Sequence, residues 1–83
     1  MKKFYEIEVN VARSNDLLDA VLRKTGLKND AALARALEVA PPVISKIRHG
    51  RLPVGASLVV RVCELTEMGL SEIKSILLGE VVA

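Results

Sequence analysis

Between Asn29 and Arg51 the chain reads NDAALARALEVAPPVISKIRHGR, and this stretch restricts what the rest can fold around. Asn29 is a good helix N-cap, because its side-chain oxygen can accept from the free amides of the first turn. Asp30 stands at the positive end of the helix dipole. Ala31, Ala32, Leu33, Ala34, Ala36 and Leu37 are strong helix formers. Pro41 and Pro42 can only begin a helix, since neither has an amide to donate and both hold φ at a helical value. Gly50 supplies the left-handed residue that ends a helix. The spacing predicts a short helix, a turn of about three residues, a second helix and a stop. Two helices joined so closely cross steeply, in helix-turn-helix geometry.

The pattern Leu33-Ala34, Leu37-Glu38-Val39, Ile44-Ser45-Lys46-Ile47 and Gly50 resembles the lambda-repressor/Cro-type (XRE-like) helix-turn-helix DNA-binding domain, and the likeness extends from Leu17 to Leu77. In that family the two helices meet over a small residue, which Ala34 matches. Hydrophobes stand at fixed offsets, matched by Leu33, Leu37, Val39, Ile44 and Ile47. The resemblance implies an all-α, five-helix lambda-repressor-like bundle that binds double-stranded DNA. Two positions depart from the pattern. Glu38 stands where the family usually has a turn glycine, at a cost of about 1 kcal/mol that packing can override. Ala40-Pro41-Pro42-Val43 opens the second helix where the family has a Ser cap and polar base readers.

Eighty-three residues make one small domain with a modest buried fraction. Phe4 and Tyr5 are its only aromatic residues, which argues against stacking platforms for single strands. No run approaches a transmembrane span. Met1-Lys2-Lys3 leads into Phe4-Tyr5-Glu6 rather than an apolar signal segment, so a cytoplasmic protein is expected, with no membrane partner. The net charge of +2 is unevenly spread. Residues 1–19 carry −1 and residues 62–83 carry −3, whereas residues 20–61 hold eight Lys/Arg against two acids, giving +6. Positive charge therefore gathers around the two-helix stretch, the footprint of a phosphate-binding face. The plain alternative is a solvated basic surface.

Residues 4–11 alternate, with Tyr5, Ile7, Val9 and Val11 on one face and Glu6, Glu8 and Asn10 on the other, the period of a half-buried strand. Such a strand needs a partner for its amides. Residues 80–83 or the same segment of a second subunit could pair with it; otherwise it is an extended arm without a ladder. Residues 1–12 are accordingly expected to be an N-terminal arm or strand with a dimerisation role, and 13–83 the DNA-binding domain, with its motif at 29–51. Ser14 or Asn15 should cap a first helix from about Asp16 to Thr25, with Leu17, Leu18, Val21 and Leu22 as its stripe and Gly26 closing it. After a loop at 51–55, a fourth helix over 56–66 should be central, with Leu58, Val59, Val62, Cys63 and Leu65 filling more than one face. Met68-Gly69-Leu70 reads as a turn. A fifth helix beginning near Ser71 then presents Ile73, Ile76 and Leu77. Leu78, Val81 and Val82 are left over, and an exposed aliphatic cluster of this kind suggests a subunit contact.

With Ile44 and Ile47 turned inward, Val43, Ser45 and Lys46 should face outward, by resemblance into a major groove. Lys46 can donate to guanine O6/N7 and Val43 can touch a thymine methyl; Lys46 can equally be an ordinary exposed lysine. Pro41 and Pro42 start the helix and can also press apolar surface against a base methyl. Arg48, His49 and Arg51 cluster where the helix exits and suit phosphates, which position without specifying sequence. His49 can instead complement the helix dipole. Asn29 and Arg35 belong to the helix that crosses the DNA backbone, where helix amides can take a phosphate. Asp30 would repel that phosphate unless it faces elsewhere, and Arg35 can be merely solvated.

Cys63 reads as a small core hydrophobe. One His and one Cys provide no metal-ligand spacing, no nucleophile–base set is visible, and no cofactor is implied. The expectation is therefore a non-enzymatic, sequence-specific transcriptional regulator of bacterial or phage style. It would be a homodimeric repressor on a pseudo-palindromic operator, with its recognition helices about 34 Å apart. An antitoxin with a protein partner is a variant of this class. The alternative is a protein-interaction module that kept the helical fold and lost base reading, an idea prompted by the proline-opened helix.

Overall fold

A computed structural model describes residues 11–79, and all their regular structure is helical. Five helices follow one another: α1 (Val11–Thr25), α2 (Asp30–Ala36), α3 (Pro41–Arg48), α4 (Ala56–Thr66) and α5 (Leu70–Leu78).

The physical centre is α1, which packs against α3, α4 and α5, while α2 packs mainly on α3. Leu17, Leu18 and Val21 of α1 are completely buried. Around them close Leu33, Ala34 and Leu37 from the α2 segment, Ile44 and Ile47 from α3, Leu58, Val59 and Val62 from α4, and Ile73 from α5. Among the described residues this core holds no aromatic side chain. Short helices can approach closely over such a core, and Ala34, with no exposed surface, is the small contact where α2 meets its neighbours.

Several boundaries differ from the sequence expectation. α1 (Val11–Thr25) is already helical at Val11, five residues ahead of the expected Asp16, so Val11 is helical rather than part of the proposed strand. Neither Ser14 nor Asn15 is a cap: Ser14 is buried within the helix, and Asn15 is drawn into a contact with α3. Tyr5, Ile7 and Val9, the rest of that strand, lie outside the described residues, as do Val81 and Val82. Leu78 is the last residue of α5 and is half-buried.

α4 is less central than its composition suggests. Leu58, Val59 and Val62 are buried, Cys63 and Leu65 are half-buried, and Val60 is 57% exposed. Met68 lies in the connection between α4 and α5, as the turn reading places it, and is also a core residue, whereas Leu70 opens α5 with 56% exposure. Thr66 makes this corner: its hydroxyl donates to the Val62 carbonyl at 2.7 Å and accepts from the Met68 amide at 3.1 Å, turning Met68 inward.

Candidate nucleic-acid interface

The α2–α3 pair is built as its residue types dictate. Asn29 is the N-cap of α2, and its Oδ1 accepts from the Ala32 amide at 2.9 Å. Pro41 and Pro42 occupy the first positions of α3, where a missing amide costs nothing. Four residues, 37–40, join the helices.

Both helices end in the same way. At the end of α2, the Glu38 amide donates to the Arg35 carbonyl (3.1 Å) and the Val39 amide to that of Ala34 (3.0 Å). At the end of α3, Gly50 donates to Ile47 (3.1 Å) and Arg51 to Lys46 (2.8 Å). Each pair of bonds is a Schellman closure, which requires a left-handed residue at its centre. Glu38 has φ +59° and Gly50 has φ +73°. At Gly50 a Cβ would also run into the Val11 side chain, so glycine is required there twice over. Glu38 has no such freedom and is held by α4: Arg61 Nη1 donates to the Leu37 carbonyl at 3.0 Å, the Glu38 carbonyl at 3.4 Å and Glu38 Oε2 at 3.2 Å. The unexpected turn residue is therefore stabilised by a cation 23 positions away, which periodicity could not reveal.

α3 is divided cleanly into two faces. Ile44 and Ile47 are buried, while Pro41, Pro42, Ser45, Lys46 and His49 are exposed. Val43 departs from its expected outward position; it is half-buried and packs on the core, which leaves only its edge available. His49 Nδ1 lies 2.8 Å from the Ser45 carbonyl. A carbonyl only accepts, so Nδ1 carries the proton in this contact and Nε2 is left as the ring's other polar atom. His49 is thus bonded to the last turn of α3 while remaining on the exposed face.

The Arg48 expectation is corrected. Its guanidinium is engaged within the protein: Nε and Nη2 donate to the two oxygens of Asp30 at 3.0 and 2.9 Å. Nη1 donates to Asp19 Oδ1 at 2.8 Å and to Asn15 Oδ1 at 2.7 Å. Asn15 Nδ2 donates back to the Arg48 carbonyl at 3.1 Å, tying the last turn of α3 to α1. The Asp30 hydrogen bonds raise the Arg48 pKa above its usual value, burial opposes this, and the Asp19 bond adds to it. A guanidinium with a filled fork is a fastener, not a spare phosphate ligand. The same geometry answers the objection to Asp30, whose charge faces Arg48.

Sequence reasoning missed Asn15, Asp19 and Arg61 as residues that build this surface. An Asn or Asp one helix away gives no local signal of its partner.

Much of the remaining positive charge is exposed. Lys24 pairs with Glu72 at 3.7 Å and Arg61 with Glu38 at 3.2 Å, but Arg23, Lys28, Arg35, Lys46 and Arg51 form no ion pair with another described residue. Arg35 on α2, Lys46 on α3 and Arg51 just beyond it are all exposed. Among the described residues there is no group of three or more His, Cys, Asp or Glu able to hold a metal ion. No helix among them is long and apolar enough to cross a membrane. Comparison with protein-family models, curated proteins and solved structures finds no match to this chain.

Proposed function

We propose that this chain is a sequence-specific DNA-binding transcriptional regulator with a lambda-repressor-like helix-turn-helix, in which α2–α3 is the motif and α3 the recognition helix. One observation carries the reading. α3 is a short helix locked on three sides, by Schellman closures before and after it and by Arg48 behind it, and its free face holds Ser45, Lys46 and His49 with Arg51 at the exit. Rigid presentation of a few polar groups, flanked by cations that form no ion pair with a described acid, is what base reading and phosphate positioning require.

In this reading Lys46 and Ser45 address base edges. Arg35 and Arg51 address phosphates, as does His49 in its imidazolium form, in which Nε2–H donates outward, and Asn29 serves as the cap that orients α2. The protein acts as a homodimer that occupies a pseudo-palindromic operator and blocks transcription. This reading assigns the subunit contact to the apolar positions Tyr5, Ile7, Val9, Leu78, Val81 and Val82.

The test is selection of bound duplexes from a random pool at about physiological salt, followed by two substitutions. Lys46→Ala is expected to weaken the selected site far more than random DNA. Arg51→Ala is expected to weaken both and to reduce the salt slope by about one per subunit. Equal effects of both on random DNA would remove base reading from Lys46. Failure of a folded protein to enrich any duplex would point instead to a protein-interaction module.

A further inference from the structure

The first turn of α3 has an unusual inventory of polar groups. Ala40, Pro41 and Pro42 are exposed, and Ala40 provides no side-chain cap. Pro41 and Pro42 have no amide hydrogen. The next amide, that of Val43, is spent on the Ala40 carbonyl at 2.9 Å. Apart from the Ala40 amide, the positions that would ordinarily present donors at the start of a helix therefore present hydrocarbon. The polar groups come one turn later on the same face: Ser45 lies four residues after Pro41, Lys46 four after Pro42, and His49 four after Ser45.

The inference rests on the DNA-binding reading above, and it concerns which base this hydrocarbon meets. In the major groove a base edge offers donors, acceptors or, for thymine alone among the four bases, a C5 methyl. A donor or acceptor pressed against the two prolines would lose water and gain nothing in exchange, which is costly. A methyl in the same place loses only unfavourable hydration. The cations Lys46, Arg35 and Arg51 favour a polyanion over an apolar peptide as the occupant of this face.

We infer that the first turn of α3 reads the C5 methyl of a pyrimidine through Pro41 and Pro42. The site thus prefers thymine at one fixed position in each half-site, and 5-methylcytosine over cytosine where that position carries a C·G pair. Cytosine methylation at that position strengthens binding, whereas a donor-based readout there would be indifferent to it or hindered by it.

The experiment uses the 83-residue chain and the duplex recovered by random-pool selection. Each thymine is replaced in turn by deoxyuridine, which removes the methyl alone, and affinity is read by fluorescence anisotropy. Loss of one buried methyl predicts about a fourfold weakening at one position per half-site, and about fifteenfold when both half-sites are changed. Placing cytosine there is expected to weaken binding, and 5-methylcytosine to recover about fourfold of that loss. The double substitution Pro41→Ser with Pro42→Ser, both tolerated at a helix start, is expected to abolish the thymine–deoxyuridine difference while circular dichroism remains helical.

Neutral replacement of every thymine would overturn the methyl readout and leave the regulator reading standing. Persistence of the difference in the double-serine protein would overturn its assignment to the prolines. Recovery of no duplex at all would overturn both readings together.

Discussion

Removing the Arg48 side chain should be the most informative single perturbation of the α2–α3 surface. Its guanidinium makes two bonds to Asp30, one to Asp19 and one to Asn15, all between 2.7 and 3.0 Å. A hydrogen bond to a charged group contributes about 1.5–3 kcal/mol when well desolvated, whereas exposed ion pairs contribute about 0–1. Here the arginine side chain is 19% exposed, but Asp19 and Asp30 are 51% and 42% exposed, so solvent screening places each bond near the lower range. At roughly 0.5 kcal/mol per bond, Arg48→Ala should cost about 2 kcal/mol. In a domain of this size that corresponds to a fall in Tm of roughly 8–16 °C.

Urea unfolding followed by helical circular dichroism measures the loss. Double-mutant cycles with Asp30→Asn and Asp19→Asn apportion it, and the bidentate Asp30 coupling should be the larger. The pKa of Arg48 is raised in the folded state, so its stabilisation is fully present below the unfolded arginine value and is lost only as strong alkali is approached. Between pH 7 and 10 the stability difference between wild type and Arg48→Ala should therefore stay constant on account of Arg48. A cost below about 0.5 kcal/mol, or no coupling to Asp30, would refute the fastener role.

Asn29→Ala removes the one side-chain cap of α2 and should cost about 1 kcal/mol in the same urea assay, with Asn29→Asp close to neutral. Glu38→Gly exchanges left-handed strain, about 1–2 kcal/mol, for greater unfolded-state entropy and an exposed ion pair of little worth, so stability should rise by about 0.5 kcal/mol. A fall of more than 1 kcal/mol there would show that the Arg61 pairing outweighs the backbone. Ile44→Ala, at a position with 1% exposure, should cost about 2–5 kcal/mol. Ser45→Ala on the opposite face should change thermal stability by no more than about 0.5 kcal/mol.

What the sequence determined alone was local. The cap at Asn29, the helix start at Pro41, the stop at Gly50 and the inward set Leu33, Ala34, Leu37, Ile44 and Ile47 all follow from dihedral restriction, amide supply and helical period, which act within a few residues. The structure places each of these as expected, and the all-helical class with them. Tertiary packing decided what depends on a distant partner. It made α1 rather than α4 the centre of the core and drew Met68 inward. It also took Arg48 from the exposed face and spent it on Asp30, Asp19 and Asn15, and it brought Arg61 to the Glu38 turn. An arginine's chemistry permits either a phosphate or an internal carboxylate. Only the fold, by bringing side chains of α1 and α2 within about 3 Å of one guanidinium on α3, selects between them.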